Sequence, residues 1–120
     1  MGMSLLTLDP NFKPAFDGQA LAQALLSKVL SSLPVAEAYL YGSSALGRNT
    51  VNSDLDILVV VPDSADIKKY YEFVNAPFFS TVAVDWIIKT NTEFQKEKVV
   101  GGIAMMASQT GIELKTNGSN

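Results

Sequence analysis

The stretch Leu40–Val61, LYGSSALGRNTVNSDLDILVVV, decides the reading of this chain. It begins inside an apolar, strand-like run, Ala38-Tyr39-Leu40-Tyr41, that stops at Gly42-Ser43. Further on, Asp54 and Asp56 head a second apolar run, Ile57 to Val61. A Gly-Ser turn after a strand presents backbone N–H groups and a hydroxyl to an anion, above all where a helix begins. Side chains of a strand alternate between faces, so Asp54 and Asp56 point the same way, roughly 7 Å apart. Two carboxylates beside a run bound for the core are costly unless a cation joins them. An anion cradle facing a dicarboxylate suits a metal–nucleotide complex.

Gly42-Ser43, ten intervening residues and Asp54-x-Asp56 resemble the signature of the DNA polymerase beta-like nucleotidyltransferases. Within that group the chain is similar to the small minimal nucleotidyltransferases of bacteria and archaea. A third carboxylate, Asp85 in the apolar run Val82-Ala83-Val84-Asp85-Trp86-Ile87-Ile88, stands where that family has one. A lone carboxylate at mid-strand in such a run would lose several kcal/mol in desolvation unless paired or metal-bound. One shared divalent site explains all three aspartates. The resemblance implies a nucleotidyltransferase fold, an α+β domain with a small mixed β-sheet and helices packed on it.

The chain bounds what else it can do. At 120 residues it is expected to form a single domain, 1–120, with about 1–15 and 116–120 irregular. Charged residues make up 18%, below the ~25% common in soluble domains, and the mean hydropathy is +0.18. Some apolar surface is therefore expected to await a partner. A net charge of −3 and a pI near 4.7 argue against a surface that grips nucleic-acid backbones. With no cysteine and no histidine, disulfides, thiolate metal sites, Ser-His triads and the usual zinc sites are excluded. The start lacks a signal-peptide pattern and no apolar run reaches membrane-span length, so a cytoplasmic protein without membrane contact is expected.

Along the chain, Asp17 reads as the N-cap of an amphipathic helix, Gln19 to Leu33, ended by Pro34. Val35–Tyr41 is the first expected strand, Ser43–Leu46 a short helix and Asp54–Val61 the second strand. Pro62-Asp63-Ser64 should cap a helix carrying Ile67, Tyr70, Tyr71 and Val74 on one face. Thr81–Ile88 is the third strand. Thr92-Glu-Phe-Gln95 has the form of a capping box opening a last helix to about Ser108, with Val99, Val100, Ile103 and Met106 inward. Gly101-Gly102 either allows close packing there or splits the helix. Gly111 stops it, and Ile112 to Lys115 alternates as a closing strand.

The resemblance implies metal-dependent transfer of a nucleoside monophosphate, AMP from ATP or the equivalent from another NTP, to a hydroxyl. Asp54, Asp56 and Asp85 would hold Mg²⁺ or Mn²⁺, with Asp85 also taking the hydroxyl proton. Gly42 and Ser43 would bind the β- and γ-phosphates. Many relatives carry a basic residue where this chain has Leu46; Arg48 either replaces it in steadying the triphosphate or is a solvated loop residue. Tyr39 and Tyr41 read as half-buried strand aromatics, and Lys68-Lys69 as the wet face of a helix. Larger relatives bind their acceptor on an added helical domain, for which this chain has no room. The minimal members resemble antitoxin partners of HEPN-family ribonucleases, which implies a protein acceptor. The alternatives are transfer to a small molecule at a homodimer interface, or a weakly catalytic module that neutralises a partner by binding.

Overall fold

The computed structural model describes residues 17–42, 45 and 54–116. Among them the order is α1 (Gly18–Leu30), β1 (Glu37–Tyr41), β2 (Leu55–Val61), α2 (Ile67–Val74), β3 (Val84–Thr90), α3 (Asn91–Val100), α4 (Ile103–Thr110) and β4 (Ile112–Glu113). The expected helix at Ser43–Leu46 and the chain ends lie outside the described residues. No helix among them is long and apolar enough to cross a membrane.

The strands form one mixed sheet in the order β3-β2-β1-β4. β1 lies antiparallel to β2 and β4, while β2 and β3 run parallel. A parallel pair needs a crossover, and α2 supplies it. Central β2 is buried on both faces, which is why the run after Asp56 is apolar at every position. Leu55, Ile57, Val59 and Val61 join Leu26 and Val29 of α1 and Tyr70 and Val74 of α2 in one core. Leu58 and Val60 meet Tyr39, Phe94, Ala104 and Ala107 in a second, on the α3–α4 side.

Local chemistry sets each boundary. Asp17 accepts from the Ala20 N–H and caps α1 as expected. The helix ends three residues before Leu33, because Pro34 disfavours helical backbone at the residue before it. The cap of α2 is Asp66, which accepts from the Lys68 N–H, and not the expected Pro62-Asp63-Ser64. Asp63 instead accepts from the Thr92 N–H (2.8 Å) and the Thr92 hydroxyl, joining the β2–α2 loop to the start of α3. Lys68 and Lys69 are exposed, in line with a wet helix face. The third strand begins at Val84 rather than Thr81, since the Ser80 hydroxyl turns the chain by accepting from the Val82 N–H.

The last helix differs most from expectation. Its capping box is Thr90 and Glu93, two residues before the Thr92–Gln95 pair. Gly101 and Gly102, at φ 133 and 85, divide it into α3 and α4. The break resets the helical phase, so α4 turns Ala104 and Ala107 to the sheet while Ile103 and Met106 face outward. Val99 and Val100, expected inward, are 72% and 82% exposed.

The chain then returns at Gly111, where an added Cβ would lie 2.6 Å from the Ala107 carbonyl oxygen and 2.8 Å from that of Leu40. Beyond β4, the Gln23 side chain of α1 donates to the Lys115 carbonyl and accepts from its N–H, both at 2.8 Å. Gly111→Ala should therefore push α4 away from β1 and cost about 1–3 kcal/mol, the scale of overpacking. Chemical denaturation of both proteins checks this; an unchanged midpoint would show that the helix return is loosely packed.

Candidate functional site

Register builds the site. Tyr41, the last residue of β1, pairs with Asp56 of β2, and Asp56 pairs with Asp85 of β3. Residues opposite one another in a sheet project to the same face, so Tyr41, Asp56 and Asp85 form a row across the three strands. They lie on the α3–α4 side, where Tyr41 joins the second core. Asp54, just before β2, is exposed. The Leu55 N–H donates to the Ala83 carbonyl at 3.0 Å, which holds the start of β2 beside the start of β3.

Gly42 closes the row. Its φ is +79, and a Cβ there would sit 2.5 Å from Oδ2 of Asp56. Any side chain would meet both a strained backbone and a carboxylate oxygen. The chain leaving β1 thus lies directly against the Asp56 carboxyl group.

The electrostatics follow. Burial raises the Asp56 carboxyl above the ordinary value of 3.8, and the charges of Asp85 and then Asp54 raise it further. Among the described residues, no basic side chain is ion-paired with these aspartates; the ion pair present there is Lys89–Glu97, at 2.8 Å between β3 and α3. Burial, then Asp56, then Asp85, push the Tyr41 phenol up to about 12, so it is neutral at physiological pH. Tyr39 stands apart from this row. Its hydroxyl donates to Glu37 at 2.6 Å and its ring stacks on Phe94.

Several expectations change at this point. Asp85 is exposed rather than enclosed, so the desolvation argument made for it applies instead to Asp56. Tyr39 and Tyr41 are buried, at 8% and 5% exposure, rather than half-buried. Ser43 and Arg48 lie outside the described residues. Sequence reasoning set Tyr41 aside, because only the β1–β2 register places it beside Asp56.

The described residues contain no group of three or more His, Cys, Asp or Glu side chains already gathered as metal ligands. The donor chemistry nonetheless fits a hard divalent cation: the candidates are carboxylate oxygens. Asp56 is moreover raised by the other two aspartates, so a cation would relieve its repulsion.

The profile of the nucleotidyltransferase domain family matches residues 21–105, a span holding Gly42 and all three aspartates. The chain belongs to that family. A solved structure from Sulfolobus solfataricus, of a protein itself inferred to be a nucleotidyltransferase, superposes with a TM-score of 0.56. At 23% identity over 87% of this chain and 88% of that one, the likeness is one of fold. No curated protein matches the chain.

The sign of the Asp56 perturbation is testable. A carboxyl raised in the folded state lowers stability above its folded pKa, and the penalty fades as pH falls through that value toward 3.8. Asp56→Asn should raise the melting temperature of the ligand-free protein at neutral pH, with the gain shrinking as the solution is acidified. Thermal melts of both proteins across pH decide; an equal or lower melting temperature at neutral pH would mean that Asp56 is not repelled by its neighbours.

Proposed function

We propose that this protein transfers a nucleoside monophosphate, AMP from ATP, to a hydroxyl group on a partner protein, with Mg²⁺ or Mn²⁺ as cofactor. The observation that carries the reading is the contact of the Gly42 backbone with the Asp56 carboxyl, next in register to Asp85. An anion-facing turn held against a carboxylate is of use when a cation and a phosphate meet between them. Asp54 and Asp56 would hold two such cations, one of which would neutralise phosphate charge, and Asp85 would join them only at the other, which would lower the pKa of an attacking hydroxyl.

The chain's own groups divide the remaining work. Gly42 lets the backbone come close to the triphosphate, and Ser43 and Arg48 contribute a hydroxyl and a charge to it. The acceptor hydroxyl attacks the α-phosphorus, the bond to the bridging β-phosphate oxygen breaks and pyrophosphate leaves. The hydroxyl proton passes to Asp85, whose exposure on edge strand β3 leaves it open to an incoming acceptor. Asp56, partly buried against Gly42, is better placed to ligate a cation than to take up the hydroxyl proton. A protein acceptor of the HEPN type suits the apolar elbow between α3 and α4, where Val99, Val100, Ile103 and Met106 are exposed.

Mg·ATP at about 100 times its dissociation constant should add about 2.7 kcal/mol to stability, whereas ATP in EDTA should add little. Equal thermal shifts in the two conditions would count against the site. Asp85→Asn should leave Mg·ATP affinity nearly intact while slowing transfer at least ~10²-fold; Asp56→Asn should impair both. Labelled ATP, with and without a HEPN-family protein from the same host, measures the transfer. Wild-type rates from Asp85→Asn would make that carboxylate structural.

A further inference from the structure

The row across the sheet holds one hydroxyl that the proposed transfer leaves unused, that of Tyr41. The chain has four tyrosines, and the hydroxyls of the other three serve the fold. Tyr39 donates to Glu37 at 2.6 Å, Tyr70 donates to the Pro34 carbonyl at 2.6 Å, and Tyr71 accepts from the Ile88 N–H at 3.0 Å. Among the described residues the Tyr41 hydroxyl makes no such bond, although the side chain is only 5% exposed. A buried hydroxyl without a partner costs free energy. Its ring belongs to the second core with Leu58, Val60, Phe94, Ala104 and Ala107, all apolar side chains. Phenylalanine would fill that place equally well, so packing accounts for the ring and leaves the oxygen unexplained.

Register supplies a use for it. Tyr41 opposes Asp56, which sets their Cβ atoms roughly 5 Å apart on one face. Besides burial, the charges of Asp56 and then Asp85 act on the phenol, and they do so without a hydrogen bond. Ionised carboxylates only accept hydrogen bonds, whereas a neutral phenol can donate one. Tyr41 is thus the donor in a row of acceptors, and neither carboxylate takes up its proton.

The strand order indicates which part of a ligand this donor meets. Tyr41 is followed directly by Gly42, whose φ of 79 opens the anion-facing turn. Asp85 stands two strands away on β3, about 10 Å across the sheet. The hydroxyl therefore lies at the turn end of the row, and the carboxylate facing the acceptor lies at the other. Tyrosine suits such a place, with an apolar body for the core and a polar tip for the rim.

We infer that the Tyr41 hydroxyl is a further nucleotide-binding group of this site, donating a hydrogen bond to a phosphate oxygen of cation-bound ATP. The inference rests on the nucleotide transfer proposed above and adds to the turn a contact made by the strand itself.

Tyr41→Phe removes the oxygen and keeps the ring. Calorimetric titration with Mg·ATP, in the absence of any acceptor, should show affinity at least about tenfold below wild type, the scale of a hydrogen bond to a charged group. The ligand-free variant should melt at the wild-type temperature or above it, since deleting an unpartnered hydroxyl breaks no bond. Tyr39→Phe, two residues earlier on the same strand and face, is the control. It breaks the bond to Glu37, so it should melt lower and bind Mg·ATP as the wild type does. Undiminished Mg·ATP affinity in Tyr41→Phe would overturn the inference and leave the proposed function standing. A lower melting temperature of ligand-free Tyr41→Phe would refute it too, because the hydroxyl would then serve the fold. Equal losses of affinity in Tyr39→Phe and Tyr41→Phe would trace the effect to β1 packing and refute it likewise. A wild-type chain with no affinity for Mg·ATP would remove both this inference and the reading on which it rests.

Discussion

The constraint on which this structure depends is that β2 must be a core strand along most of its length and a charged rim at its beginning. Its apolar residues serve two cores at once, Leu55, Ile57, Val59 and Val61 on one face and Leu58 and Val60 on the other. That double burial holds the strand in register, because a one-residue slip would exchange the two faces completely. The same register carries Asp56 into line with Tyr41 and Asp85. Hydrophobic packing several residues away thus supplies the force that keeps mutually repelling groups in place.

Much of this arrangement was legible from residue pattern. The apolar run after Asp56 could only be a buried strand, and Asp17 and the spacing of Ala22, Leu26 and Val29 could only open and line a helix. The dicarboxylate and the Gly42 turn stood out because polar residues beside a core run are costly. What pattern alone could not supply was pairing. Nothing in the local sequence says that Tyr41 opposes Asp56 rather than a neighbour, so its place in the carboxylate row was missed. The same gap misassigned the buried carboxylate. Asp85 lies within an apolar run, yet edge strand β3 leaves it exposed while central β2 partly buries Asp56.

The α3–α4 segment shows a different limit. Apolar residues at Val99, Val100, Ile103 and Met106 follow a helical period across Gly101-Gly102, and a continuous helix would have turned them inward. Two glycines at positive φ cancel that phase relation. Ala104 and Ala107 then approach the sheet instead, and the larger side chains are left outside. Glycine costs only about 1 kcal/mol within a helix, too little to predict a break by itself. Small residues on the following turn, which pack closely only if the helix restarts, tip the balance.

These features make the ligand-free rim a place of stored cost. Asp56 is held beside two other carboxylates, raised by burial and by both of them, and the described residues bring no cation to relieve it. Gly42 forgoes a side chain to lie against it. Tyr41 stays a neutral phenol beside the same charges. The Asp56 charge does not help the chain fold, and a conservative substitution to asparagine would remove it. Sites that keep such penalties are commonly preorganised for a ligand that cancels them. In the function proposed above, the cancelling ligand brings positive charge to the carboxylates. A nucleoside triphosphate carrying its own divalent cation would meet that demand, whereas a free triphosphate would add negative charge to a rim that already repels itself.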